Sequence, residues 1–119
     1  MAEDDFGKAL NKRHQISITV TGRNTGRAIT IPVWFVSSEG RLWLLPVNGS
    51  DTQWYRNLMK NRAITIHAGS KTKDSRARLL KDPSSVSVVV EQFRKKYRSA
   101  EIKRWYKGLD VAVEVPFAA

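Results

Sequence analysis

Alternation of apolar and polar residues in short stretches, joined by loops too short to hold a helix, is the feature that most restricts this chain. From Gln15, residues Ile16, Ile18 and Val20 face one way and Ser17, Thr19 and Thr21 the other, the period of a half-buried strand. A second stretch at Ala28 to Val36 and a third at Arg41 to Val47 follow, with a turn expected at Ser37-Ser38-Glu39-Gly40. A parallel α/β fold needs a crossover helix between most strands, and there is no room for one here. The first three strands are therefore expected as an antiparallel meander. Pro32 and Pro46 cannot donate a ladder hydrogen bond, so each is placed at a sheet edge or bulge, where the backbone is open to something other than a strand.

Further along, Trp54, Tyr55, Leu58 and Met59 share one helical face over 52–60, behind the N-cap candidates Ser50, Asp51 and Thr52. Alternation returns over Arg62 to Ala68 through Ile64 and Ile66, and another strand can be drawn through Ser75 to Lys81. Val86, Val88 and Val90 alternate like a strand. Over a longer window Val86, Val89, Val90, Phe93 and Tyr97 follow helical spacing, with Asp82 as cap and Pro83 at the first helical position, and a helix is predicted. A shorter helix through Ile102, Trp105, Tyr106 and Leu109 is expected to stop near Gly108, before a final strand through Val111, Val113, Val115 and Phe117. The sum is a mainly β fold with helices: a barrel of about six antiparallel strands, with a helix after the third and a helical pair before the last.

At 119 residues the chain has room for one core, so a ligand site must share that core's surface. No repeat or linker divides it. Residues 1–14 are expected as a flexible lead-in, loose or a short helix, and 15–119 as the single cofactor-binding domain. No apolar run approaches the roughly 20 residues that span a bilayer. The acidic start Met1-Ala2-Glu3-Asp4-Asp5 is unlike a secretion signal, which leads to a cytoplasmic expectation and to no membrane partner. The absence of cysteine removes disulfides, thiolate metal sites and thiol catalysis, and His14 and His67 alone do not make a multi-histidine metal site; no metal is expected. A formal net charge of +10 predicts attraction to something anionic, with nucleic acid, membrane phosphate and a phosphorylated small molecule all qualifying.

Thr21-Gly22-Arg23-Asn24-Thr25-Gly26-Arg27, between two strands, is the most specific local signal. Gly22 and Gly26 permit left-handed backbone angles that let successive N–H groups converge on an anion. Arg23 and Arg27 add charge-assisted bonds and Thr25 a hydroxyl. From this segment alone, an ordinary hairpin with solvated arginines fits equally well. A second anion candidate is Val47-Asn48-Gly49-Ser50, leading into the N-terminus of the 52–60 helix, for which a plain strand-to-helix turn is the simpler account. Trp34, Trp43, Trp54, Tyr55, Trp105 and Tyr106 could stack on a planar ring, although aromatics at these periods are more often core. The basic run Arg94-Lys95-Lys96 with Arg98, Lys103 and Arg104 fits a polyphosphate or nucleic-acid patch, and more simply a solvated helix face. His67, at a strand end, reads as structural, and no P-loop, nucleophile elbow or paired carboxylates are found.

The order of segments carries a resemblance. Thr21-Gly22-Arg23-Asn24-Thr25-Gly26-Arg27, then Ile31-Pro32-Val33, a third strand, Trp54-Tyr55-Arg56-Asn57-Leu58 and Arg62-Ala63-Ile64-Thr65-Ile66 together resemble the deazaflavin (F420)-dependent nitroreductase family. That family belongs with the split β-barrel flavin proteins, FMN-binding and pyridoxamine phosphate oxidase-like, which Pro32-Val33-Trp34-Phe35 to Leu44 resembles too. The resemblance is strongest over 18–66. It implies a split β-barrel oxidoreductase that passes hydride between F420 and a small organic acceptor. It also implies a homodimer whose subunits border each cofactor. Carried over, Arg23, Asn24, Thr25, Gly26 and Arg27 hold phosphate, Ile31, Pro32 and Val33 line the ring, and Asn48, Ser50, Trp54 and Asn57 complete the pocket wall. The family's usual Lys-Gly-Gly appears here as Asn48-Gly49-Ser50, and this missing lysine keeps FMN, bound by an oxidoreductase or a flavin carrier, as the alternative cofactor. A small basic barrel binding single-stranded nucleic acid is the alternative from another class, ranked below a cofactor. No catalytic residue is nominated; Tyr55 and Tyr106 are proton-donor or pocket-lining candidates, since the cofactor carries the redox chemistry.

Overall fold

The computed structural model describes residues 3–117; Met1, Ala2, Ala118 and Ala119 lie outside them. Among the described residues eight short strands form two four-stranded antiparallel sheets. The first is ordered β2-β1-β5-β6, from β1 (Ile16–Thr21), β2 (Ala28–Val33), β5 (Ala63–Ala68) and β6 (Lys71–Arg76). The second is ordered β3-β4-β8-β7, from β3 (Val36–Ser38), β4 (Arg41–Leu44), β7 (Arg78–Leu80) and β8 (Ala112–Pro116). Helices α1 (Glu3–Asn11), α2 (Gln53–Lys60), α3 (Pro83–Tyr97) and α4 (Ser99–Trp105) pack around them. This is the split β-barrel, with antiparallel sheets as expected.

Eight strands replace the expected six because two continuous runs each change sheet. The chain leaves β2 at Val33 and re-enters pairing at Val36 in the other sheet, turning over the fully buried Phe35. The three-strand meander therefore does not form: β2 pairs only with β1, and β3 with β4. The second switch is at Ala77, buried between β6 and β7, whose N–H donates to the Arg62 carbonyl at 2.8 Å. Strand β6 gave no alternation to read because its residues, Lys71 to Arg76, are almost all exposed. Between β3 and β4 the turn is only Glu39-Gly40, both at positive φ (51° and 79°), the two-residue geometry whose twist suits a hairpin. Ser37 and Ser38, expected in the turn, belong to the strand.

The core has two parts. Ile16, Ile18, Val20, Leu42, Leu44, Leu58, Ile64 and Ile66 fill the barrel, while Val86, Val89, Val90, Phe93, Tyr97 and Ile102 seal α3 and α4 against the second sheet. Strand β8 serves both, with Val113 and Val115 in the barrel and Ala112 under the helices. Of the two readings of the lead-in, the short helix is the one that forms: α1 buries Phe6 and Leu10 in the barrel core, and the Phe6 and Phe117 rings lie 5.3 Å apart. Helix α3 starts as predicted, with Pro83 in the first turn and the Asp82 carboxylate accepting from the Ser85 N–H at 3.0 Å. Helical spacing wins over β-branching there because Val86, Val89, Val90, Phe93 and Tyr97 are buried and Val88 is left exposed. In α2, Met59 is half exposed rather than packed, and Asn57 is buried in its place.

Candidate cofactor site

Two concavities meet the segments singled out in the sequence. One is an apolar cleft of about 450 Å³, lined by Ile31, Pro32 and Val33 of β2 together with Trp34, Thr52, Trp54 and Tyr106. Edge strand β2 can hold Pro32 without breaking a central ladder, and its ring then forms part of the wall. Trp34 is fixed from behind. It stacks on Tyr97 at 4.4 Å between centroids and 5° between planes. The Tyr97 hydroxyl accepts from the Phe35 N–H at 3.0 Å and lies 2.7 Å from the His14 carbonyl and 2.8 Å from that of Phe35, pinning the chain where it changes sheet. Burial pushes the Tyr97 hydroxyl up to about 12, against the pull of its Phe35 bond, so it stays protonated.

The other is a groove of about 500 Å³ lined by Thr21, Gly22, Arg23, Asn24, Gly26, Lys60, Asn61, Arg62 and Arg76. Four cations and no carboxylate line it, which is the electrostatic complement of an anion. Its loop differs from the expected amide cradle. Gly22 N–H donates to the Arg27 carbonyl and Gly26 N–H to the Gly22 carbonyl, both at 2.8 Å, Arg23 N–H to Asn57 Oδ1 at 3.1 Å and Arg27 N–H to Thr25 Oγ1 at 3.2 Å. Those amides are spent inside the protein. Only Gly26 of the two glycines has positive φ (74°). Gly22 sits where space is tight, since a Cβ there would come within 3.1 Å of Ile29 Cδ1 and Thr25 Oγ1 and those side chains would have to shift. An anion would thus meet side-chain cations rather than converged N–H groups.

Helix α2 is the wall between the two concavities. Arg23 reaches it with three bonds, Nη1 to Asn57 Oδ1 (2.8 Å) and the Gln53 carbonyl (3.4 Å), and Nη2 to Gln53 Oε1 (2.7 Å). Lys60 Nζ returns a bond to the Arg23 carbonyl at 2.9 Å. Trp54, next to Gln53 in the same turn, lines the apolar cleft. The first turn of α2 has no side-chain cap, because Thr52 Oγ1 accepts from the Asn48 N–H instead.

Most residues expected in the site line one of the two hollows, in two groups rather than one. Arg23, Asn24 and Gly26 line the groove, and Ile31, Pro32, Val33 and Trp54 the cleft. Thr25 and Arg27 are exposed on the loop outside both linings. Asn57 acts as the anchor for Arg23. Asn48 and Ser50 are used structurally: Ser50 N–H and Oγ bond the two Asp110 oxygens at 3.0 and 2.7 Å, and those bonds lower the Asp110 pKa. A carboxylate of the chain already sits at the turn where an anion was expected. Tyr55 is buried outside the cleft lining, its hydroxyl without a hydrogen-bond partner and its pKa raised by burial and by Asp110; Tyr106 faces the cleft. His67 Nε2 lies 2.7 Å from Thr19 Oγ1 on the sheet.

Sequence reading missed Lys60, Arg62 and Arg76. Arg76 ends β6 opposite Ala63, beside Arg62, so only strand pairing brings these charges to the Arg23 loop. Among the described residues no group of three or more His, Asp or Glu could hold a metal, and no helix is long and apolar enough to cross a membrane.

The F420H(2)-dependent quinone reductase family matches the chain over residues 2–115. The chain belongs to that family. Its members are oxidoreductases named for reduced F420, in accord with the function implied by the sequence resemblance. No curated protein sequence matches the chain. Solved structures share its fold. An F420-H2 dependent reductase, FDR-A, is 23% identical with a TM-score of 0.68, covering 87% of this chain and 94% of its own. A structure described as a domain-swapped dimer is 20% identical with a TM-score of 0.70, over 96% of each chain. A pyridoxamine 5'-phosphate oxidase-like protein from Listeria innocua is 12% identical with a TM-score of 0.70, over 100% of this chain and 95% of its own.

The site's chemistry fits the cofactor that gives the family its name. A cleft walled by Trp34, Trp54 and Pro32 suits a planar ring, and the four-cation groove across α2 suits the anionic part of the same molecule.

Proposed function

We propose that this chain binds reduced F420 along α2 and reduces a quinone or a similar small acceptor in the apolar cleft. The observation that carries this reading is an aromatic-walled cleft lined by Trp54, in the first turn of α2, together with an acid-free cationic groove lined by Lys60, at the other end of the same helix. Reduced F420, when bound, supplies a hydride, which with one proton converts a quinone to its hydroquinone. Arg23, Lys60, Arg62 and Arg76 hold the anionic portion, with Arg27 and Thr25 on the loop beside them. Ile31, Pro32, Val33 and Trp54 hold the ring, Trp34 keeps its plane through Tyr97, and the apolar lining excludes water. Asn57 positions Arg23, and Ser50 holds the turn before α2 through Asp110. Tyr106 faces the acceptor's place in the cleft.

Titration with F420 and, in parallel, FMN tests the cofactor, and anaerobic oxidation of reduced F420 by a water-soluble quinone tests turnover. Saturable F420 binding in the micromolar range with quinone-dependent oxidation is expected; binding of FMN alone would move the reading to the flavin. The homodimer implied by the resemblance belongs to the same proposal. Sedimentation near twice the 13.5 kDa chain mass is its expected outcome, and a monomer at micromolar concentration removes a shared site.

A further inference from the structure

One exposed surface is used by nothing described so far, and it borders the cleft. Helix α4 turns Ile102 inward and leaves Trp105 51% exposed at its last position, although Trp105 also lines the cleft. Lys107 N–H donates to the Val47 carbonyl at 2.7 Å, which brings the loop after β4 against the end of α4. Val47 is 42% exposed and lines the same cleft, so two large apolar side chains stand in solvent at its rim. Trp105 is held in place, with its Nε1–H on Glu101 at 3.3 Å and the Arg104 guanidinium 5.2 Å from its ring centroid. Between 98 and 107 the chain carries Arg98, Lys103, Arg104 and Lys107 against the single carboxylate Glu101.

We propose that this rim docks peripherally on an anionic lipid surface, with Trp105 and Val47 entering the headgroup boundary and Lys103, Arg104 and Lys107 contacting lipid phosphates. An indole sits well where one side is apolar and the other wet, and lysine and arginine stems snorkel to the same level. Several cations beside an apolar anchor are the combination that makes such binding selective for anionic lipid. The expectation of no membrane partner rested on the lack of a spanning segment and of a secretion signal, and peripheral docking needs neither. Single-stranded nucleic acid fits less well. It favours several aromatic platforms along a groove, whereas Trp105 is the one aromatic among the large exposed apolar residues described, and the aliphatic Val47 offers a base little. Docking would turn the cleft mouth toward the bilayer, a direct entry for an acceptor dissolved there; that consequence rests on the proposed function, whereas the docking itself does not.

The test is co-sedimentation of the cofactor-free protein with vesicles of phosphatidylcholine alone and of phosphatidylcholine with added phosphatidylglycerol. Binding only to the anionic vesicles, weakened by salt, is expected. The triple substitution Lys103→Gln, Arg104→Gln, Lys107→Gln should lower the partition coefficient at least about tenfold, and Trp105→Ala by about fivefold. With a water-soluble quinone the triple variant should turn over like the wild type, and with a quinone embedded in anionic vesicles it should be slower. Equal affinity for both vesicle types, wild-type partitioning by the triple variant, or binding to single-stranded RNA without binding to vesicles would each overturn the proposal. Loss of all quinone turnover with vesicle binding intact would instead refute the functional reading and leave the docking surface standing.

Discussion

Arg23 and Arg27 look equivalent in the sequence and are not. Arg27 is exposed, so Arg27→Ala should weaken F420 binding by about three- to fivefold through lost charge with an unchanged melting temperature. Arg23 is bonded to Asn57 and Gln53 as well as facing the groove. Arg23→Ala should therefore weaken binding more and also cost about 1 kcal/mol of stability, read as a lower melting temperature. Equal effects of the two substitutions would mean that the tether to α2 is irrelevant. Tyr97 gives a pH prediction at the same scale. Its folded pKa is raised from 10 to about 12, and the pKa values of Tyr55 and Tyr106 are raised as well, mainly by burial. Their contribution is fully present below pH 10. The unfolded chain loses these protons first, so stability should fall as pH rises from 10 through 12. Thermal melts across that range check it, and Tyr97→Phe should lower stability by about 1 kcal/mol at neutral pH while flattening the alkaline decline.

Among the elements, α3 owes its start to one side chain. Asp82→Ala removes the bond to the Ser85 N–H and should lower the melting temperature. The Asp82 pKa is lowered by its Ser85 bonds, so the cap's contribution is present above the ordinary carboxylate range and lost as pH falls through the lowered value. Helix α2 behaves differently: with no side-chain cap, it is held by Trp54, Tyr55 and Leu58 in the core and by the Arg23 loop on its flank. That is why Asn57, a polar residue in an apolar stripe, is buried. Asn57→Leu should leave the Arg23 N–H without its partner and cost about 1–3 kcal/mol, with weaker cofactor binding in the same variant.

For the whole molecule, the division into two sheets decides where chemistry can sit. The switch at Trp34-Phe35 opens the barrel wall beside edge strand β2, and α4 comes back to the same opening with Trp105 and Tyr106. Positive charge distributed over distant parts of the chain gathers at the groove and at the rim of α4, so salt should weaken F420 binding and vesicle binding alike. Titrations at low and high ionic strength check that. An F420 affinity that ignores salt would put the anionic end of the cofactor somewhere other than the Arg23 groove.

Local rules made much of this protein legible from its sequence. Ile16, Ile18 and Val20 had to face a core, Asp82-Pro83 had to start a helix, Pro32 had to lie on an edge, and the Thr21–Arg27 loop with its neighbours carried the family. These are short-range consequences of backbone geometry and side-chain period, present in any fold that keeps the residues in order. What the sequence could not fix was pairing. The polar strand β6 has no apolar period, the runs through Phe35 and Ala77 look continuous although they change sheets, and Lys60, Arg62 and Arg76 become neighbours of Arg23 only once β6 pairs with β5 and α2 docks. The Gly22, Arg23, Gly26 and Arg27 amides, free in a linear reading, are taken by Asn57 and by the loop itself. Contacts between residues distant in the chain depend on which surfaces the core brings together, and that was decided only by the tertiary structure.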